Sequence, residues 1–202
     1  LWPGAWPEDA AETLAGLIEG ELVKAGFDEA AMARERLLAR RLACWLADEF
    51  EPDRRTDWPQ RWVEVAGAIT LDAPFSPFHL TARADRLEAA GRVGAVIDFK
   101  TGGPPSIGQV HSHLAPQLSL TAAILAEGGF GPDIPALHPA QLLYVQLIGR
   151  DPPGREIDVS GGNSRHPLDA AGVAEAAREG LARRIARFDD AETPYRSWET
   201  PQ

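Results

Sequence analysis

The chain has 202 residues, 44% hydrophobic and 25% charged; this suits one globular domain, or one domain with a helical attachment, and excludes wholesale disorder, collagen and low-complexity architectures. A formal net charge of −10 argues against a free-standing, sequence-indifferent nucleic-acid binder, which needs a basic face. No stretch approaches the roughly 18 uncharged apolar residues of a membrane span. One cysteine, Cys44, excludes an intrachain disulfide and any Cys-rich zinc or iron–sulfur site, and fits a reducing, cytoplasmic compartment.

Leu1-Trp2-Pro3-Gly4 has neither the basic flank nor the apolar segment of a secretory leader. A first residue other than Met is what a piece of a longer protein would show. From Pro7 to Gly26 the pattern is helical, with Leu14, Leu17, Ile18 and Leu22 at spacings of three and four. Asp28 is placed to cap a second helix running to about Phe50, whose apolar stripe is Met32, Leu37 or Leu38, Leu42, Trp45 and Leu46. The polar stretch Pro52 to Pro59 breaks that pattern, so residues 1–58 read as a helical N-terminal part.

The period then changes to two. Val63, Val65, Ile69 and Leu71 alternate with Glu64 and Ala66, as in a half-buried strand. Asp72 to Pro77 is a turn, His79 to Glu88 a second strand, and Val93 to Lys100 a third. Short connections make these an antiparallel meander, closed by Thr101-Gly102-Gly103-Pro104-Pro105. Pro116 suits a first helical position, and the helix runs to Gly128. Gln141 to Ile148 is a fourth strand, with Tyr144 read as core. Asp151 to Pro167 is expected to be a mobile loop, and Leu168 to Phe188 a last amphipathic helix. The expected fold is α/β, a mixed and mainly antiparallel sheet flanked by helices in the order α-α-β-β-β-α-β-α, with residues 59–202 as the core.

Chemistry concentrates in Ile97-Asp98-Phe99-Lys100-Thr101-Gly102. Residues two apart on a strand share a face, so Asp98 and Lys100 project together while Ile97 and Phe99 enter the opposite layer. Lys100 is one of only two lysines, the other being Lys24. Asp85 lies on the preceding strand, where a hairpin brings it near Asp98. Two converging carboxylates repel without a cation, and Mg2+ (or Mn2+) answers that repulsion with retained waters and phosphate oxygens. The bland alternatives are solvated charge pairs: an isolated Asp-x-Lys pair is worth about 0–1 kcal/mol, and Arg83 and Arg86 offer Asp85 a surface ion-pair cluster. His111 and His113 read as solvent-exposed residues near a substrate entrance. The early tryptophans, Trp2, Trp6, Trp45, Trp58 and Trp62, read as packing or subunit contacts. Arg183, Arg184 and Arg187 read as a solvated helix face.

Asp85, Asp98-Phe99-Lys100 and the later Gln117 together resemble the PD-(D/E)XK nuclease superfamily. Arg83-Ala84-Asp85-Arg86-Leu87, Ile97 to Gly102 and Leu114-Ala115-Pro116-Gln117-Leu118 resemble its RecB-like nuclease domain, in the form that ends AddB-type repair subunits of alphaproteobacteria. The resemblance covers about Glu64 to Ile148. It implies a restriction-endonuclease-like core, Asp85, Asp98 and the Phe99 carbonyl as metal ligands, Lys100 as catalytic lysine, and Gln117 beside it. Glu64 stands where many relatives carry a further acid. The implied activity is Mg2+-dependent exonucleolytic cutting of DNA in break repair and recombination, on a single strand delivered by an AddA-like helicase–nuclease partner. The alternative is a degenerate nuclease fold that binds DNA or a partner without cutting. Three departures stand out. No His precedes His79, where relatives carry one on an upstream helix. Thr121 stands where relatives often have Tyr. Cys44 alone excludes the iron–sulfur staple of some relatives.

Overall fold

The computed structural model of the chain describes residues 6–194. Helices α1 (Ala10–Lys24) and α2 (Glu29–Trp45) pack together at the start. The Asp28 carboxylate accepts the Ala31 N–H at 2.8 Å, which caps α2. The helix does not stop at the polar stretch. A π-helical turn, Leu46–Phe50, leads into α3 (Glu51–Asp57). Pro52 lies in the first turn of α3, directly after the π-helical turn, so the expected break from Pro52 is helix as far as Asp57.

Strands β1 (Gln60–Leu71), β2 (Phe78–Ala90) and β3 (Val93–Lys100) form the expected antiparallel meander. Two short connections, α4 (Ile107–His111) and α5 (Gln117–Ala126), cross to β4 (His138–Leu147), which pairs with β3 in parallel. Strand β5 (Gly154–Asp158) adds an antiparallel edge, and α6 (Ala170–Phe188) closes the chain. The sheet order is β1-β2-β3-β4-β5. The α/β class and mainly antiparallel sheet are those expected, with α3, α4 and β5 added to the order. Strand β5 lies inside the segment expected as a loop. Ile157 is its only large apolar residue, so this short edge strand carries no readable alternation.

Alternation along β3 and β4 sorts the core into two layers. Val96, Leu142 and Tyr144 face α5 and α6, with Leu118, Ile124 and Val173. Ile97, Leu143 and Val145 face Trp45 and Phe50. At Gly154 a Cβ would stand 2.3 Å from the Trp45 ring, so β5 closes on this layer only because that residue lacks one. Trp45 is therefore core. The Trp6 indole donates to the Ala47 carbonyl at 3.2 Å, and Trp62 packs on the α5 side; Trp2 lies outside the described residues. Among the described residues no helix is long and apolar enough to cross a membrane.

A closed charge network fills the α3 side of the sheet. Arg86 and Glu88, two apart on β2, point there together and are 4% and 0% exposed. Glu88 accepts from Arg86 Nε at 2.8 Å and from Arg54, and Glu51 accepts from Arg86 and, at 3.2 Å, from Arg55. Arg86 therefore does not join Asp85 in a surface cluster, because consecutive strand residues face opposite ways. Burial opposes ionisation of Glu51, but Arg86 and Arg55 more than offset it and hold its carboxyl below the usual range. That stabilisation is complete above the unfolded-state pKa of Glu51 and is lost as pH falls through the lower folded value. Glu51→Ala, which takes one of its two acidic partners from buried Arg86, is expected to cost about 3–5 kcal/mol in urea unfolding at neutral pH. The deficit relative to wild type should shrink as pH falls through the lowered folded value of Glu51, below which it is protonated in both states.

Candidate active site

Pairing between β2 and β3 ends at Arg86 opposite Ile97. One step further stand Asp85 and Asp98, both on the α5 side by strand alternation. There the ladder is replaced by a side chain: Asp85 Oδ2 accepts the Phe99 N–H at 2.9 Å. Asp98 is 5% exposed. Its Oδ1 accepts from Gln117 Nε2 at 3.1 Å, from the first turn of α5. Its Oδ2 lies 2.6 Å from Lys100 Nζ, an ionic contact outside hydrogen-bond angles, so this buried oxygen has no directional partner. Asp85, Asp98, Lys100 and Gln117 are thus brought together by three elements. The chain leaving Lys100 is also held, since Gln146 on β4 donates to the Gly102 carbonyl at 2.7 Å.

The electrostatics follow from this crowding. Burial pushes the Asp98 carboxyl above its ordinary value; Lys100 draws it down and the neighbouring Asp85 raises it, with a net upward shift. Tyr144, opposite Asp98 on β4, is pushed up to about 12 by burial and by the negative charge of Asp98. It stays a neutral phenol, and its ring centroid lies 6.0 Å from Lys100 Nζ, within cation–π range. Tyr144 is core, as its alternation implies, but it also bounds the site. No motif marks this double role; the parallel register of β3 and β4 creates it.

The other candidates fall elsewhere. Glu64 is exposed and pairs with Arg83 Nε at 2.7 Å. It has a φ of 51° and interrupts the β1–β2 register opposite Asp85. Strained backbone of this kind gathers at functional sites, and here it stands beside the acids without joining them. Thr121 donates to the Gln117 carbonyl at 2.8 Å, so its hydroxyl is spent on the helix. His111 is not simply solvent-exposed. It hydrogen-bonds the Val159 carbonyl at 3.0 Å and meets the His166 ring edge-on at 4.9 Å, because α4 packs against the chain that follows β5. Arg183 pairs with Glu179 on the exposed face of α6.

The donor set consists of hard oxygens. Asp98 Oδ2 is buried with the Lys100 ammonium against it at 2.6 Å and no directed hydrogen bond, and one Asp85 oxygen is taken by the Phe99 N–H. Mg2+ asks for no more than one or two carboxylates when waters and phosphate complete its octahedron. These residues fit such an ion, although no group of three or more His, Cys, Asp or Glu is gathered for a metal among the described residues.

A family model described as the PD-(D/E)XK nuclease superfamily matches residues 4–198. The chain belongs to the PD-(D/E)XK nuclease superfamily. Membership points to nuclease-type chemistry, for which PD-(D/E)XK enzymes typically use divalent metals. An uncharacterized protein of Rickettsia typhi is 29% identical over 104 residues, 50% of this chain and 12% of that protein. One of Rickettsia conorii is 28% identical over 107 residues, 51% of this chain and 13% of that protein. The matched stretch is therefore a small part of the curated relatives. The crystal structure of SSO0001 is similar at 17% identity over 84% of each chain, with a TM-score of 0.37.

The raised pKa of Asp98 has a consequence for PD-(D/E)XK stability. Protonated Asp98 stabilises the fold below its unfolded-state pKa, and that contribution is lost as pH rises through the higher folded value. Asp98→Asn keeps the shape and removes the buried charge. Its denaturant midpoint is expected to match or exceed wild type at pH 7–8 and to lose that advantage toward pH 3; a midpoint well below wild type at pH 8 would show that the carboxylate is a net stabiliser.

Proposed function

We propose that this chain is the Mg2+-dependent nuclease domain of an AddB-like helicase–nuclease subunit, acting with an AddA-like partner in cytoplasmic break repair and recombination. The observation that carries this reading is the meeting of Asp85, Asp98, Lys100 and Gln117 where β2 and β3 part. The substrate is a DNA single strand fed by the partner motor and cut as an exonuclease would cut it. Delivery by other domains reconciles a net charge of −10 with a polyanionic substrate. Residues 1–58 serve as a helical attachment to the catalytic core of residues 59–202.

In this reading Asp85, Asp98 and the Phe99 carbonyl hold Mg2+, with Mn2+ as a substitute. When bound, the ion supplies Lewis acidity to the scissile phosphate and to a bound water. Gln117 fixes Asp98 through Oδ1, which leaves Oδ2 facing Lys100. Lys100 orients the attacking water and meets the charge that develops on the phosphoryl oxygens. The Tyr144 ring limits where its ammonium can move. Water is added across a P–O bond, one oxygen of the diester leaving as an alcohol.

Asp98→Ala and Lys100→Ala are expected to lower single-strand DNA cleavage at least about a hundredfold, with circular dichroism and partner assembly unchanged. Chelation should abolish cutting by wild type, and Mg2+ or Mn2+ should restore it. Cleavage at the normal rate in both variants would remove the site assignment. The second reading, a degenerate module that binds DNA or a partner, draws on the pairing of just two acids and on the lack of any His before His79. It predicts DNA binding without cleavage in the full complex.

A further inference from the structure

The α4–α5 connection, the first turns of α5 and the second half of α6 enclose a cavity of about 130 Å3. Pro116, Leu120, Ala177 and Leu181 give it apolar walls, and His113 and Arg184 are its basic groups. Pro116 immediately precedes Gln117, and Leu120 lies about 4.5 Å further along the helix axis. The chain that walls the cavity at Pro116 therefore runs directly into Gln117, which donates to Asp98.

Two of its residues are unusual. His113 has a φ of 61°, a left-handed conformation uncommon outside glycine, and its buried Nδ1 has no hydrogen-bond partner. Its ring lies over Gly180, where an added Cβ would stand 3.5 Å from His113 Cδ2. Arg184 is exposed and has no ion-pair or hydrogen-bond partner among the described residues, whereas its neighbour Arg183 is held by Glu179 at 3.3 Å. An apolar hollow with a few convergent polar groups is the usual form of a small-ligand site.

We propose that this cavity is a nucleotide subsite, taking the base of the DNA residue next to the scissile phosphate while Arg184 meets the adjoining backbone phosphate. It rests on the nuclease reading of the neighbouring acids. A base has flat apolar faces and a polar edge, which suit Leu120, Leu181 and the His113 ring; such stacking is sequence-tolerant. A lone phosphate would leave the apolar walls unused. A guanidinium without an acidic partner is the group an acidic domain needs beside a polyanion.

The experiment uses Gly180→Leu, which fills the cavity from α6, and Arg184→Ala. Leucine is the better helix former and its Cβ meets His113 at ordinary contact distance, so the fold tolerates it. Binding of a single-stranded deoxyoligonucleotide bearing 2-aminopurine is read by fluorescence in chelator, where no cleavage occurs. Hydrolysis of bis(p-nitrophenyl) phosphate by the wild type is read separately with Mn2+. Each variant is expected to weaken oligonucleotide binding about tenfold. Oligonucleotide affinity unchanged in both variants overturns the subsite, whatever the catalytic result. Weakened binding in a protein whose wild type hydrolyses neither substrate supports the subsite and sinks the nuclease reading instead.

Discussion

The candidate site exists because β2 and β3 stop pairing one residue before their acids would face each other. A strand that leaves a ladder exposes backbone donors, and a buried donor without a partner is costly. The Asp85 carboxylate takes the Phe99 N–H at 2.9 Å and so satisfies the first donor past the split. That bond also fixes Asp85 beside Asp98. Strand alternation then turns Lys100 to the same side, and the crossover through α5 brings Gln117 down onto Asp98. One backbone irregularity, closed by a side chain, positions a group from each of three elements.

The two faces of the sheet treat charge in opposite ways. On the α3 side, Glu51, Glu88 and Glu156 are matched by Arg54, Arg55 and Arg86, and Glu51 is held ionised below its usual range. On the α5 side, two neighbouring acids stand with one lysine, which pairs with Asp98, and Asp98 titrates higher than usual. Glu51 and Asp98 are both buried, so the difference lies in the balance of charge. A balanced buried network satisfies its members, whereas breaking it leaves an uncompensated ion. An unbalanced one retains a demand for positive charge, which a divalent cation meets. The same strand supplies both, since Arg86 and Glu88 alternate with Asp85.

Much of this was legible from residue order. Period-two runs mark β1 to β4, the Asp98-x-Lys100 spacing sets a shared face, and Asp28 caps its helix as its position suggests. What stayed hidden depends on long-range contact. Strand β5 is short and mostly polar, and takes its place only by pairing with β4. The role of Arg86 depends on α3, a helix that begins with a proline-bearing polar stretch. Tyr144 reads as core because it is core; its closeness to Lys100 comes from a parallel register that no local pattern encodes. The His113 conformation and its contact with Gly180 likewise join residues far apart in the chain.

Tyr144 and Thr121 show how such a site is supplied from different elements. At Thr121 the side chain is short enough to bond the Gln117 carbonyl, which closes the first turn of α5 and removes that position from the cleft. The space beside Lys100 is bounded instead by a ring from β4, 6.0 Å from the ammonium. A strand-borne ring is held from both sides by its sheet neighbours, and Tyr144 is 1% exposed. It therefore has less freedom than a side chain on the first turns of a short helix. An ammonium between that ring and Asp98 is confined by a rigid neutral face on one side and a buried charge on the other. The carboxylate attracts it strongly and directionlessly, while the ring adds shape, so the position of Lys100 is set by packing as much as by charge.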